Sequence, residues 1–239
     1  MLYIFPNLLD KEQESDEFFP MNLETYVSKI DTLVAESEKN ARSFLKRFSF
    51  SEERSFRDIP IKLLNEHTND EDFKELSDLL HKDKKIGLIS DAGLACMADP
   101  GAKLVAAARD QNISVKTFSG PSSIVFALIY SGLNTQEFTF NGYLPRKDPE
   151  LYQKLKTIDK HLQSSKHTHI FIEAPYRNEK LIESLVKNIS KSVMLSVSCD
   201  LTLESESVIT KPLSSWKQDK NLKRYHKRPC VFVLGKEPK

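Results

Sequence analysis

Small and polar residues directly follow two short apolar segments of this chain, and their types are those that hold polar ligands. Residues 86–90 lead into Asp91-Ala92-Gly93, and residues 113–118 are followed by Gly120-Pro121-Ser122-Ser123. Backbone N–H groups and hydroxyls in such loops can hold a polar ligand, and the Asp91 carboxylate can accept hydrogen bonds from ribose or amine groups. In open α/β sheets, ligands lie beyond the carboxyl ends of the strands. We therefore expect both loops to border one ligand site.

The distribution of glycine supports a single site. Six of the seven glycines lie between Gly87 and Gly142, in the segments ISDAG, ADPG, SGPSS, SGL and NGYLP and in the strand before them. Glycine permits a ligand to approach the backbone closely. The concentration of glycines in an otherwise glycine-poor chain indicates one ligand site, and we expect Gly120 to allow such an approach.

Motifs of several other enzyme classes are missing from the sequence. It has no GxGxxG, GxxxxGK[ST], GxSxG or HExxH segment, so dinucleotide binding, P-loop chemistry and hydrolase or zinc-protease chemistry are not supported. His161, His167 and His169 lack ligand spacing and are interpreted as surface residues, and no metal is expected. Asp99 precedes a helix that begins near Pro100, and we interpret it as the cap of that helix.

Composition and length limit the class of protein. The chain has 239 residues, of which 39% are hydrophobic and 29% charged, with a formal net charge of +1. These values are typical of a globular protein and give no general attraction to nucleic acid. No apolar run approaches the ~18 residues of a membrane span, and the N-terminus lacks the pattern of a signal peptide. The three cysteines have no CxxC spacing, which fits reduced thiols, so a cytoplasmic protein without membrane contact is expected.

Apolar runs and helical patterns alternate in the first half of the chain. The pattern predicts strands over residues 2–5, 31–35, 59–64, 86–90 and 113–118, and helices over residues 37–48, 70–81 and from about 100 to beyond 108. Such alternation predicts a mostly parallel sheet that is covered on both faces.

The second half of the chain has a different pattern. It predicts helices over residues 121–130, 149–163 and 178–189, and strands over residues 138–140, 169–173, 193–199, 204–210 and 229–234. Two successive strands without an intervening helix favour antiparallel pairing, so this sheet is expected to be mixed. The predicted fold class is α/β, with a mostly parallel sheet in a domain of residues 1–118, a mixed sheet in a domain of residues 119–239, and the ligand cleft between the two domains.

Taken in order, the segments ISDAG, ADPG, SGPSSIVFAL, SGL and NGYLPRK resemble the class III S-adenosylmethionine-dependent methyltransferases, also called the tetrapyrrole methylase superfamily. The large branch that the chain resembles most is the bacterial small-subunit rRNA cytidine 2′-O-methyltransferases. Their corresponding segments read approximately VSDAGTP, DPG, PGPSA, ASGL and GFLP. Residues 171–177, FIEAPYR, are similar to the YE.P.R element of the same family.

The sequence departs from that pattern at several places. Phe5-Pro6-Asn7-Leu8 stands where the family has a TPIGN-type loop with its glycine, and Ala35-Glu36 keeps only the start of the AEDTR element. Leu94-Ala95 replaces the Thr-Pro after DAG, and Cys199-Asp200-Leu201 lacks the basic residues of a RELTK-like element. In its altered first loop the chain resembles a shorter branch of the group.

The resemblance implies a set of residues that bind S-adenosylmethionine. Enzymes of this class hold the cofactor in the cleft between two domains. The residues implied are Ser90, Asp91, Ala92 and Gly93 on one side, Gly120, Pro121, Ser122 and Ser123 on the opposite side, and Tyr143, Leu144, Glu173 and Ala174 around the adenine and the cleft wall.

A hydroxyl acceptor would need a general base. Glu36, His67 and Asp91 are the candidates, and the sequence does not choose among them. By resemblance we expect an S-adenosylmethionine-dependent methyltransferase that acts on RNA, at a ribose 2′-hydroxyl of ribosomal RNA, and that forms a homodimer. A methyltransferase of a tetrapyrrole or another small molecule, and a cofactor-binding protein without catalysis, are the alternatives left open.

Overall fold

A computed structural model describes residues 1–10, 15–81 and 83–237 of the chain. The chain divides into two compact units, Met1–Ser122 and Ser123–Lys239, and each unit has its own sheet and its own apolar core. The sequence-based boundary, between residues 118 and 119, lies in the segment that precedes the second unit. Within the described part of the chain, no helix is both long and apolar enough to cross a membrane.

The sheet of the first unit is parallel throughout the described residues. Its strands are β1 (Leu2–Ile4), β2 (Thr32–Ala35), β3 (Ile61–Leu63), β4 (Ile86–Leu88) and β5 (Val115–Thr117), in the order β3-β2-β4-β1-β5. The three inner strands are almost entirely buried, as expected for a parallel sheet covered on both faces. The predicted mostly parallel sheet is confirmed.

The helices of the first unit cover this sheet. They are α1 (Ser15–Phe18), α2 (Leu23–Val27), α3 (Glu38–Leu45), α4 (Asp70–Asp78) and α5 (Gly101–Asp110). The side-chain oxygen of Ser37 accepts a hydrogen bond from the N–H of Asn40, which fixes the start of α3 directly after β2. The sequence pattern did not predict α1 and α2, because helices of four or five residues are too short to show a helical period.

The sheet of the second unit is mixed. Its strands are β6 (Phe138–Tyr143), β7 (Thr168–Ile172), β8 (Met194–Cys199), β9 (Ser207–Pro212) and β10 (Cys230–Gly235), in the order β6-β7-β10-β8-β9. Strand β6 pairs with β7 in parallel, and the other three pairings are antiparallel. The predicted mixed sheet is therefore confirmed.

The helices of the second unit are α6 (Ser123–Ser131), α7 (Asp148–Ser164), α8 (Asn178–Asn188) and α9 (Leu213–Trp216). Among the described residues, short 3₁₀ turns cover Phe56–Asp58 in the first unit and Pro175–Arg177 and Leu222–Tyr225 in the second. Strand β9 starts three residues later than predicted, since Asp200 and Thr202 have positive φ and the N–H groups of Leu203 and Glu206 close turns before it. The backbone groups that bond within these turns are not available for pairing between strands.

Two cysteines that are distant in the sequence meet in this sheet. Cys199 on β8 and Cys230 on β10 are register partners, and their Sγ atoms lie 3.1 Å apart. Both are buried and both are free thiols. Their spacing of 31 positions gives no sequence signal for this contact.

The buried Asn178 side chain ties helix α8 to the segment before β10. Its Nδ2 donates to the carbonyls of Tyr225 at 2.9 Å and Arg228 at 2.8 Å. A buried acceptor left without its donor costs about 1–3 kcal/mol. We expect Asn178→Ala to lower the free energy of unfolding by about 2–4 kcal/mol in urea titrations. Glu183→Ala, at an exposed position of the same helix, is the matched control, and an equal effect of both variants would contradict this account.

Candidate functional site

Three chain segments meet at the carboxyl edge of the first sheet. The segment after β1 pairs with the segment after β4, because the N–H of Asn7 donates to the carbonyl of Gly93 at 2.8 Å and Pro6 bridges to Leu94. The segment after β5 arrives at the same place: a side-chain carbon added at Gly93 would lie 3.2 Å from the carbonyl oxygen of Pro121. The structure thus brings together the two loops that the sequence expected at one edge.

The side chain of Asn7 holds two of these segments together. Its Nδ2 donates to the carbonyls of Ser90 at 3.0 Å and Asp91 at 3.2 Å, and its Oδ1 accepts the N–H of Leu8 at 2.9 Å. Asn7 is buried, so these bonds satisfy main-chain groups that water does not reach. Sequence analysis did not select Asn7; its place shortly after β1, where a ligand-binding loop was expected by resemblance, was the available signal.

Gly120 packs closely against the first loop of the chain. A side-chain carbon at Gly120 would lie 2.1 Å from Cβ of Pro6, closer than any real contact permits. This packing by itself requires a glycine at position 120. The approach of a ligand to the same backbone stays a prediction.

Asp91 and Ala92 are the exposed residues of the loop after β4. The N–H of Asp91 donates to Oε1 of Glu36 at 2.8 Å, and its Oδ1 accepts the hydroxyl of Ser37 at 2.9 Å. The Ser90 hydroxyl is buried and donates to the carbonyl of Ala92 at 3.0 Å, so it shapes the loop from within. Asp91 is thus held from two sides and still faces solvent.

Two neighbouring carboxylates raise the pKa of Glu36 at this edge. Burial raises the pKa of Glu36, and the charges of Asp91 and Asp99 raise it further, although the bond from the Asp91 N–H opposes this. Burial also raises the pKa of Asp99. Oδ1 of Asp99 accepts the N–H of Gly101, the first residue of α5, at 2.7 Å. Pro100 occupies the cap position itself, so Asp99 supports the helix start from one residue before it. The N–H groups of Gly101, Cys96 and Met97 favour the charged form of Asp99.

A cavity of about 380 Å³ adjoins Asp91. It is lined by Asn7, Leu8, Leu9, Asp10, Asn40, Ser43, Arg47 and Asp91. Its volume lies in the range of small-molecule sites, and its lining offers amides, a hydroxyl, carboxylates and a guanidinium. Of the residues selected from the sequence, Asp91 alone is in this lining.

The residues at this edge fit S-adenosylmethionine. The cofactor carries a sulfonium and an ammonium, and carboxylates are the groups that attract such cations. The charges of Asp91 and Asp99 disfavour ionisation of Glu36. A cationic ligand at the exposed Asp91 would relieve this repulsion.

The structure places the third candidate base, His67, near this edge but in solvent. Its N–H donates to Oδ1 of Asn65 at 2.9 Å, and Nδ2 of Asn65 donates to the carbonyl of Glu36 at 3.0 Å. The imidazole itself is 85% exposed and lies 3.5 Å from the carboxylate of Glu66. Asn65 therefore links this loop to the backbone of Glu36, while the His67 ring lies in solvent beside Glu66.

The candidate residues of the second unit lie at one end of its sheet. Tyr143 ends β6 opposite Ile172, the last residue of β7, so Leu144 and the pair Glu173-Ala174 follow neighbouring parallel strands. Tyr143 is exposed and Leu144 is buried. Glu173 is buried, accepts the N–H of Ala174 at 2.8 Å, and lies 3.4 Å from the guanidinium of Arg177. Glu173 thus forms an ion pair within its own unit.

Ser122 and Ser123 lie at the start of α6, where Ser122 is buried and Ser123 is the first helical residue.

The interpretation of three histidines as surface residues is wrong for one of them. His169 is buried, whereas His161 and His167 are not. The three rings form a cluster in which the ring centroids lie 4.6–5.2 Å apart.

Comparison with known proteins assigns the family. The family model of the Tetrapyrrole (Corrin/Porphyrin) Methylases matches residues 25–216, which is most of the chain. The chain belongs to the tetrapyrrole methylase family. This confirms the family expected from the sequence, and it makes the chain an S-adenosylmethionine-dependent methyltransferase by family.

Curated relatives share one name, "Ribosomal RNA small subunit methyltransferase I". The protein of Hydrogenobaculum sp. is 30% identical over 69% of this chain and 69% of its own length. The protein of Halalkalibacterium halodurans is 30% identical over 86% of this chain and 67% of its own length. That of Streptococcus pyogenes serotype M6 is 35% identical over 67% of this chain, which spans about half (52%) of the streptococcal protein.

Similar solved structures confirm the fold expected for this chain. The crystal structure of the methyltransferase CobJ matches with a TM-score of 0.63 at 10% identity. The match covers 98% of this chain and 93% of the CobJ chain. The crystal structure of diphthine synthase has a TM-score of 0.63 at 14% identity and covers 98% and 89%. At such low identity the likeness concerns the fold alone.

The contact between Gly120 and Pro6 gives a testable prediction. Gly120→Ala should lower the free energy of unfolding by about 1–3 kcal/mol, because the added carbon overlaps Cβ of Pro6. The double variant Pro6→Gly/Gly120→Ala should recover most of this loss, since the clashing atom is removed. Urea unfolding of both single variants and the double variant measures the coupling. If Gly120→Ala weakened cofactor binding at unchanged stability, the glycine would serve the ligand instead.

Glu36 gives a prediction on pH. Its pKa is raised in the folded protein, so its stabilising contribution is present at low pH, where the group is protonated, and is lost as pH rises through the folded pKa. A glutamine keeps the acceptor for the Asp91 N–H and lacks the charge. The melting temperature of Glu36→Gln, relative to that of the parent protein, should therefore increase from pH 4 to pH 7. Calorimetry measures this difference. Glu52→Gln, at an exposed position, is the control; a gain of Glu36→Gln that is largest at pH 4 would refute the assignment.

Proposed function

We propose that this member of the tetrapyrrole methylase family transfers a methyl group to RNA of the small ribosomal subunit, at a ribose hydroxyl. The observation that carries the proposal is the meeting of the loop 90–93 with Glu36 at one sheet edge, in a chain whose curated relatives are named for small-subunit rRNA. The acceptor is supported by the names of those relatives, and the site by the carboxylates that face it.

Asp91 is proposed to bind the methyl donor, with the backbone of Ala92 and Gly93 beside it. S-adenosylmethionine supplies an electrophilic methyl carbon on a positively charged sulfur. The exposed Asp91 carboxylate attracts that charge, while its backbone is held by Glu36 and by Asn7. Tyr143, Leu144, Glu173 and Ala174 of the second unit, and Gly120, Pro121, Ser122 and Ser123, stay in the proposal as further cofactor contacts.

Glu36 is the candidate base that the geometry favours. Its Oε1 accepts the Asp91 N–H, so Oε2 is the atom that would take the proton of an acceptor hydroxyl. Partial burial and the neighbouring carboxylates raise its pKa, which makes the carboxylate a stronger base. His67 is exposed and Asp91 is engaged with Ser37, so both rank behind Glu36.

The acceptor is proposed to enter the cavity beside Asp91. Arg47 offers a charge to an RNA phosphate, and Asn40 and Ser43 offer donors and acceptors to a nucleotide. Contacts of these types position a nucleic acid without reading its sequence. We further propose a cytoplasmic location and a homodimer, as expected from the resemblance of the sequence.

Transfer of labelled methyl from S-adenosylmethionine tests this function. Small ribosomal subunits and their naked rRNA, prepared from cells lacking the protein, should accept label in a reaction that weakens steeply as salt is raised, because phosphate contacts release counterions. Label in a tetrapyrrole and not in RNA would establish the small-molecule alternative. Binding of the cofactor without transfer to any of these acceptors would establish the non-catalytic alternative.

Asp91→Ala is expected to weaken S-adenosylhomocysteine and S-adenosylmethionine binding about 10–100-fold, the loss of a charge-assisted hydrogen bond. Isothermal titration calorimetry measures the affinities, and circular dichroism shows that the variant is folded. Asp110→Ala, on the exposed end of α5, is the control. Unchanged affinity in Asp91→Ala would remove this residue from the site.

A further inference from the structure

Three imidazoles converge in the second unit. His161 lies in the last turn of α7, His167 in the connection that follows, and His169 on β7. One ring nitrogen from each of them lies within 4.8 Å of the others. His169 shares its face of β7 with Phe171, whose ring packs in the core with residues of α7. Helix, turn and strand thus aim three nitrogen donors at one point.

The rings are held in place by neighbouring polar groups. The hydroxyl of Ser165 donates to the carbonyl of His161 at 2.9 Å and accepts the N–H of His167 at 3.2 Å. Oγ1 of Thr139 lies 2.7 Å from Nε2 of His167, and Nδ2 of Asn141 lies 3.2 Å from Nδ1 of His169. Side chains with fixed rotamers and second partners are the usual surroundings of metal-binding histidines.

The spacing of the nitrogens approaches that of ligands on one ion. Nδ1 of His161 lies 3.0 Å from Nε2 of His169. Two nitrogens bound tetrahedrally at about 2.0–2.1 Å from Zn²⁺ lie about 3.3 Å apart. The neutral imidazole is the form that coordinates a metal.

We propose that His161, His167 and His169 bind one Zn²⁺ through a ring nitrogen each, with water in the fourth position. Three histidines and a water form a known zinc ligand set. The site lies in the second unit and does not rest on the proposed methyl transfer. Bound zinc would link the last turn of α7 to β7 and stabilise the second unit.

Zinc would replace the proton that two rings share. In the metal-free arrangement Nδ1 of His169 accepts from Asn141, so its Nε2 carries the proton that points to Nδ1 of His161. Coordination through Nε2 moves the ring proton to Nδ1, and the Asn141 amide then has to turn and present its oxygen. Lys154 opposes a cation at this place and Glu137, which acts on His167, favours it.

Titration of the metal-free full-length protein with Zn²⁺ tests the site. Calorimetry and equilibrium dialysis should show one ion per chain, and Co²⁺ should give the absorption of a tetrahedral nitrogen site without thiolate charge transfer. His161→Ala and His167→Ala should each weaken zinc binding at least tenfold. Both residues are less buried than His169, so their variants should stay folded, which circular dichroism checks. His81→Ala, at an exposed position elsewhere, should bind as the parent does.

Two results would overturn the proposal. One is the lack of saturable zinc binding in the parent protein. The other is zinc that survives His161→Ala and His167→Ala and is lost in Cys199→Ser/Cys230→Ser, which would place the ion on the paired thiols.

Discussion

The hydrogen bonds of the buried Asn7 side chain fix the edge of the first unit on which the proposed chemistry depends. They tie the loop after β1 to the carbonyls of Ser90 and Asp91, and breaking them would leave buried main-chain groups without partners. With that loop fixed, Pro6 fills the space above Gly120, and the segment after β5 reaches the same edge. The first loop thus packs against the segments that follow β4 and β5.

Carboxyl groups give this edge its chemical character. Asp99 accepts a hydrogen bond at the start of α5, and Glu36 accepts one from the Asp91 backbone. The Asp91 side chain is exposed to solvent. Burial disfavours ionisation of the first two, and their proximity disfavours it further for Glu36. A cation at Asp91 would offset the negative charge that raises the pKa of Glu36. In the proposed site, binding of a sulfonium and ionisation of the candidate base are therefore linked.

The second unit is held by pairings between distant parts of the chain. Strand β10, the last in sequence, lies between β7 and β8, and this order brings Cys230 beside Cys199. The parallel pairing of β6 with β7 sets Thr139 and Asn141 beside the rings of His167 and His169. The mixed sheet thereby creates the imidazole cluster and the thiol pair as direct consequences of its strand order.

The sequence by itself determined the elements, the two sheets and the family. Apolar runs, helical periods and helix-start residues such as Ser37 and Asp99 act over a few residues, so they can be read along the chain. Helices α1 and α2 were missed because they are too short to show a period. Tertiary structure alone decided that Pro6 occupies the space at Gly120, that Asn7 locks the site, and that three histidines share one point. These contacts join residues through the packing of the sheets, and packing leaves no periodic trace in a single sequence.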